Sequence, residues 1–273
     1  MKSKLYLVLT ACLSGFLCFA TIAQATTYST DFSSNPGWAT DQPSNHYWDS
    51  TNQWYHVRVE NTPPGFPGPT TYQPNRYAGT FLPEALGGFH LRWDTQITHS
   101  EWSAGIDFGV FDSQMAFAGR GGGQGVTMGM SWTDPGNNLF LHVSGVGGVA
   151  GVSTESAGGD FWQVGDWYRS YLSYDPWMNL VDLVVTDRAT GTSIWNASLA
   201  VPGGGFSREL IFLGNTRYGC VDLEGGVFGL HAYAADKGNI DNVSLTPIPA
   251  PGAFLLGGIG LGIVNWLRRR RTL

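Results

Sequence analysis

The long central part of this 273-residue sequence has almost no lysine, a single cysteine and no stretch of helical periodicity. Each absence removes a class of protein. Of 15 lysines and arginines, Lys2, Lys4, Arg268, Arg269, Arg270 and Arg271 sit in two terminal segments that contain no acid. The body between them carries 9 basic against 21 acidic groups, a formal charge of −12, and Lys237 is its one lysine. A body of that sign offers no electrostatic footprint for a phosphate backbone, so nucleic acid is not an expected partner. Cys12 and Cys18 lie in the first apolar run, which leaves Cys220 as the one thiol of the rest. One thiol makes neither an internal disulfide nor a cysteine-type zinc site. The six histidines are scattered without an HExxH pair, and no G-x-S-x-G marks a nucleophile elbow. The run GRGGGQG, Gly119–Gly125, lacks the Lys-Ser/Thr and the helix of a phosphate loop, so it reads as a connection between strands.

The N-terminus reads as an export signal. Lys2 and Lys4 precede an apolar run from Leu5 to Phe19, and Ala23-Gln24-Ala25 supplies the small-x-small pattern of a signal-peptidase site. Residues 1–25 are therefore expected to be a signal peptide cleaved after Ala25.

The body, 26–246, is long enough for one large all-β domain. With 38 Gly, 14 Pro, 14% aromatic and only 13% charged residues in the chain, many short strands joined by turns are favoured over long helices. Phe89, Leu91, Trp93, Thr95 and Ile97 alternate with His90, Arg92, Asp94 and Gln96, the pattern of a half-buried strand, and Ile106, Phe108 and Val110 keep the same period. Further strands are expected over 54–59, 126–132, 139–143, 167–174, 180–186, 193–199, 210–213, 227–233 and 239–245. Asp175-Pro176 with Asn179, and Asp187-Arg188-Ala189-Thr190-Gly191, mark two turns, which makes 167–199 a three-strand meander. Asn35-Pro36-Gly37 marks a turn before Trp38. About a dozen antiparallel strands at this spacing fit two packed sheets, a β-sandwich of jelly-roll type.

The stretch WYRSYLSYDPWMNLVDLVVTDRATGTSIW, Trp167–Trp195, resembles the central meander of laminin-G-type and other concanavalin A-like domains. The closing GNIDNVSL is similar to the last strand of that group and the opening TDFSSNPGW to its first. The resemblance implies a two-sheet concanavalin A-like sandwich and supports the fold more than any ligand. Carbohydrate-binding sandwiches that end on an I-D-[DN]-V strand can place an aspartate there in a structural calcium site with groups near the first strand. By that resemblance Asp241 and Asp31 are the matching positions, and oxygen ligands suit calcium. The alternative is that both cap turns or lie on the surface.

An active site is harder to find. The β-glucanases of this fold place acids as E-x-D-x-x-E along one strand, and no such run exists here; Asp222-Leu223-Glu224 is too short. The body is thus expected to be non-enzymatic. Its ten tryptophans, with Trp38, Trp48, Trp54, Tyr47 and Tyr55 concentrated near the start, offer ring faces on which sugars can stack, although most aromatics of such a domain are core.

The C-terminus completes the address. Pro247, Ile248, Pro249, Ala250 and Pro251 open a linker over 247–252, an apolar glycine-rich stretch covers 253–267, and the four arginines lie in the tail, 268–273. As a helix, 15 residues reach about 22 Å, short of the roughly 30 Å hydrocarbon core. The arginines would stay on the cytoplasmic side, and the glycines leave a bare face for close helix contact. This layout is similar to the PEP-CTERM sorting signal of Gram-negative bacteria, with IPAP in place of the usual V-P-E-P. The resemblance implies an exosortase-type processing enzyme as partner and delivery of the body from the inner membrane to the cell surface or exopolysaccharide matrix. An ordinary inner-membrane anchor carrying an adhesin and a secreted polysaccharide-active enzyme are the competing expectations.

Overall fold

The computed structural model describes residues 28–40, 43–58, 78–99, 105–111, 125–133, 136–144, 152–156, 159–201, 210–218 and 237–248, with Gly260 and Ile263 beyond them. The strands among these are β1 (Tyr28–Thr30), β2 (Ala39–Thr40), β3 (Tyr47–Asp49), β4 (Trp54–Arg58), β5 (Ala78–Leu86), β6 (Gly88–His99), β7 (Gly105–Phe111), β8 (Gly125–Thr133), β9 (Gly136–Ser144), β10 (Val152–Glu155), β11 (Trp167–Asp175), β12 (Leu180–Asp187), β13 (Ser193–Ala200), β14 (Leu210–Tyr218) and β15 (Lys237–Ile248). They form two antiparallel sheets. The first runs β13-β12-β11-β6-β15-β4-β3 with β1 added on β15; the second runs β10-β9-β8-β7-β14-β5-β2. The body, Thr27–Pro247, is thus an all-β sandwich and one compact unit.

Local chemistry explains the connections. Asp175 Oδ1 accepts the amides of Trp177 and Met178 at 2.8 and 3.1 Å, and Asn179 takes a left-handed φ of 50°, which turns β11 into β12. Asp187 Oδ1 does the same for Ala189 and Thr190, and Gly191 closes that turn at φ 73°. The meander expected over 167–199 is therefore built by two aspartate-capped turns. Asn35 Oδ1 caps Gly37 in the turn before Trp38. The expected strand over 227–233 lies outside the described residues, as do Cys220, Asp222, Glu224, Ala23, Ala25, Pro249, Ala250, Pro251 and the four terminal arginines. Pro247 and Ile248 close β15. Of the expected sorting helix, Gly260 and Ile263 are described, both helical. No helix among the described residues is long and apolar enough to cross a membrane.

The core lies where the alternation puts it. Phe89, Leu91, Trp93 and Ile97 of β6 are fully buried and face Ile106, Phe108 and Val110 of β7, with Trp93 and Phe108 rings 5.1 Å apart. Trp38, Phe32 and Tyr55 extend this aromatic seam; Trp38 donates to Tyr28 Oη at 2.6 Å and Trp48 to the Phe32 carbonyl at 2.8 Å. A buried ring removes about 200 Å² from water, on the order of 5 kcal/mol each before entropy is counted. The two sheets differ on their outer faces. In the second, 106–111 and 125–130 are buried throughout, on both faces. In the first, Arg92, Tyr171 and Val184 are exposed on the outer face.

A candidate glycan-contacting face

On the first sheet, β6 sends its odd-numbered residues into the core and His90, Arg92, Asp94 and Gln96 outward. The outward side chains of β4, β15, β6 and β11 form two hydrogen-bonded chains that run across the strands. In one, His56 Nδ1 lies 3.0 Å from Asn239 Oδ1, Asn239 Nδ2 donates to Gln96 Oε1 at 2.8 Å, and Gln96 Nε2 donates to the Gly165 carbonyl at 2.7 Å.

The second chain is charged. Asp94 is fully buried although it lies on the outer face, and its carboxylate accepts Arg169 Nε at 2.8 Å and Nη2 at 3.0 Å. Asn242 Nδ2 donates to Asp94 Oδ2 at 3.0 Å and to Asp241 Oδ2 at 2.7 Å. Arg188, from the β12–β13 turn, brings Nη1 to 3.3 Å from Asp94 Oδ2 and 3.8 Å from Asp241 Oδ2. Its pairs are the long ones, and its guanidinium rests over the Trp167 ring at 5.6 Å. Desolvation by burial raises the Asp241 carboxyl above its usual range, Asp94 and Asp31 add to the rise, and the Asn242 amide and Arg188 oppose it. Hydrogen bonding to Asp94 raises Arg169 further.

Aromatic rings complete the face. Trp54 of β4 and Trp167 of β11 belong to strands separated by β6 and β15, about 14 Å apart at the usual strand spacing. Their ring centroids are nevertheless 5.7 Å apart, so both side chains reach across the two intervening strands toward each other. Each is half-buried. Tyr47 stacks beside His56 at 5.0 Å, and Tyr171 beside His90 at 5.5 Å.

The sequence-predicted pair Asp31 and Asp241 does come into electrostatic reach, since Thr30 is the register partner of Val243. Their oxygens serve other partners. Asp31 Oδ1 caps the Ser33 amide at 3.0 Å, which holds its carboxyl below the usual range, and Asp241 accepts both nitrogens of Asn242 at 2.7 Å. Among the described residues no group of three or more His, Cys, Asp or Glu is placed to hold a metal ion. Asp31 caps a turn, whereas Asp241 lies within β15 with Asn242 and Arg188 as its partners.

Paired acids can be judged by geometry. Because Asn242 Nδ2 bridges them, Asp94 Oδ2 and Asp241 Oδ2 lie within about 6 Å, the separation of a glycosidase pair. Asp94, however, has no exposed surface, and its carboxylate is engaged by Arg169 and Asn242. On the second sheet, Asp107 shares a row with Gly129, Phe140 and Glu155. Their strands are three spacings, about 14 Å, apart, with the Asp107 carboxylate leaning over Gly129 and Glu155 Oε1 accepting Asn138 Nδ2 at 2.8 Å.

No protein-family profile and no curated protein sequence matches the chain. Solved structures do share its fold. The basic winged bean lectin with Tn-antigen is 10% identical with a TM-score of 0.53, over 81% of this chain and 98% of that one. The winged bean acidic lectin complexed with methyl-α-D-galactose is 13% identical with a TM-score of 0.50, over 81% and 98%. The Lotus tetragonolobus seed lectin is 9% identical with a TM-score of 0.50, over 81% and 97%. Identity this low carries the fold alone: the body has the lectin-type, concanavalin A-like β-sandwich fold.

Proposed function

We propose that this protein is an exported, non-catalytic sandwich that contacts glycans at the cell surface or in the exopolysaccharide matrix. The observation that carries the reading is the outer face of the first sheet, where aromatic rings, amides, guanidinium groups and a carboxylate are held by one another on a solvent-facing surface. Sugar sites combine these group types, with ring faces for the C–H surface of a pyranose and fixed polar groups for its hydroxyls. Delivery is assigned to the C-terminal segment, whose proline motif, short apolar stretch and four arginines resemble a PEP-CTERM signal read by an exosortase-type enzyme.

The test has two arms. Mass spectrometry of the protein recovered from the matrix is expected to find both ends removed, after Ala25 and near the 247–251 motif; an intact C-terminus would return the protein to the inner membrane. Incubation with the cell's own exopolysaccharide is expected to deplete the protein from solution. A hydrolytic reading is favoured only by the closeness of Asp94 and Asp241. Turnover in a broad glycan screen, abolished by Asp241→Asn, would put it in place of ours.

A further inference from the structure

We infer that the Trp54–Trp167 platform is a binding site for a neutral hexopyranose polymer, with Arg188 and Asp241 gripping adjacent hydroxyls beside the rings. This deepens the glycan-contacting reading and rests on it. The two indoles meet over β6 and β15 with their planes 48° apart, an angled ring surface wider than one side chain provides. Arg188, whose guanidinium lies over the Trp167 ring at 5.6 Å, uses only Nη1 in long contacts of 3.3 and 3.8 Å to carboxylates, so its other N–H groups can donate outward. Asp241 keeps part of its side chain exposed, and each carboxylate oxygen has a lone pair beyond the one given to Asn242. A strong donor and a strong acceptor side by side match vicinal hydroxyls, each of which both gives and takes a hydrogen bond.

The charge count selects the ligand. On this face the outward cations Arg58, Arg92, Arg169 and Arg188 are balanced by Asp94, Asp182, Asp241 and nearby Asp31, so it offers no net positive charge to an anionic ligand. A uronate polymer would bring its carboxylates near Asp241 and Asp31, with no cation in excess, in a body of formal charge −12. A neutral polymer meets no such repulsion, and its binding is insensitive to salt. Preorganisation adds to this, because the transverse hydrogen-bond chains hold the site before the ligand arrives.

The experiment is affinity electrophoresis of the purified protein in gels containing dextran, laminarin or galactomannan as neutral probes and alginate as the anionic one, at 0.05 and 0.5 M NaCl. At least one neutral polymer is expected to retard the protein with less than twofold change between the two salts. Trp54→Ala, Trp167→Ala and Arg188→Gln are each expected to weaken that retention about tenfold. Should a tryptophan variant fail to fold, Arg188→Gln remains, since Arg188 sits in an exposed turn, and loss in that variant of the tryptophan quenching seen on adding the polymer decides the matter. Retention unchanged by all three substitutions refutes this site while leaving the glycan-contacting reading in place. Retention by alginate alone, lost at high salt, refutes the neutral ligand. Failure of every probe and of the cell's own exopolysaccharide removes the reading and this site together.

Discussion

Replacing Arg169 by methionine should cost far more stability than replacing its partner Asp94 by asparagine, although the first breaks one ion pair and the second two. The asymmetry follows from exposure. Arg169 has 37% of its side-chain surface in water, whereas Asp94 has none. In Asp94→Asn the arginines lose a partner but can turn to solvent, and the amide keeps the shape. In Arg169→Met a buried carboxylate loses its two shortest donors and keeps only Asn242 and the long contact to Arg188. Removing one member of a buried pair costs about 3–5 kcal/mol, whereas an exposed arginine set free costs about 1–2 kcal/mol. For a domain of this size, 1 kcal/mol moves the thermal midpoint by about 2–4 °C, so Arg169→Met should lower it by on the order of 10 °C. Urea unfolding at pH 7, with Arg169→Met/Asp94→Leu as the double variant, measures all of this. Equal costs for the two single changes, or a double variant as unstable as their sum, would refute the account.

The other expectations are smaller. Asp241 has its carboxyl raised above 3.8, so the folded chain holds that proton to higher pH than the unfolded one; its contribution is most favourable below that value and is lost as pH rises through the raised one, and Asp241→Asn should raise the midpoint more at pH 7 than at pH 4. A Cβ at Gly238 would lie 2.5 Å from the Gln96 carbonyl and 2.6 Å from Ile106 Cδ1, so Gly238→Ala should cost about 1–3 kcal/mol in urea unfolding. Gly37 has open space around it but a φ of 68°, so Gly37→Ala should cost only about 1 kcal/mol. Chelator should leave the thermal midpoint unchanged, because Arg188 and Asn242 already serve Asp241; a drop of several degrees would place calcium at Asp31 and Asp241.

The fold was legible wherever one strand carried its own evidence. The alternation from Phe89 to Ile97 places the core face of β6, and the aspartates at 175 and 187 place the turns of the meander, because both signals are local. Strand β5 was not foreseen: AGTFLPEAL has no clean period of two and contains a proline. The candidate face was invisible for a different reason. Asp94 reads as one more polar residue on the wet side of a strand until Arg169, 75 positions later, is brought opposite it. Trp54 and Trp167 belong to strands that do not even pair. Only the order of strands in the sheet makes them neighbours, and that order is set by long-range closure of the sandwich.

That buried pair also bears on why the face has one arrangement. A salt bridge of this kind is weak evidence for net stability, since two well-packed apolar residues could do as well. Its stronger effect is on register. Slip β11 by one residue against β6 and Arg169 turns to the inner face, among Trp93, Leu172 and Phe108, while Ser170 and Tyr168 turn out. An unpaired guanidinium in that core costs several kcal/mol, whereas most of the apolar alternation could be recovered by a slip of two. A slip of two keeps Arg169 outside but sets it opposite Arg92 or Gln96 rather than Asp94, leaving the buried carboxylate without its fork. The Asp94–Arg169 pair therefore excludes both the odd and the even misregistrations that a half-buried strand permits. With register fixed, Trp167 is held opposite Gln96 and within reach of Trp54, so the ring platform is a consequence of the same contact that costs the sheet a buried charge.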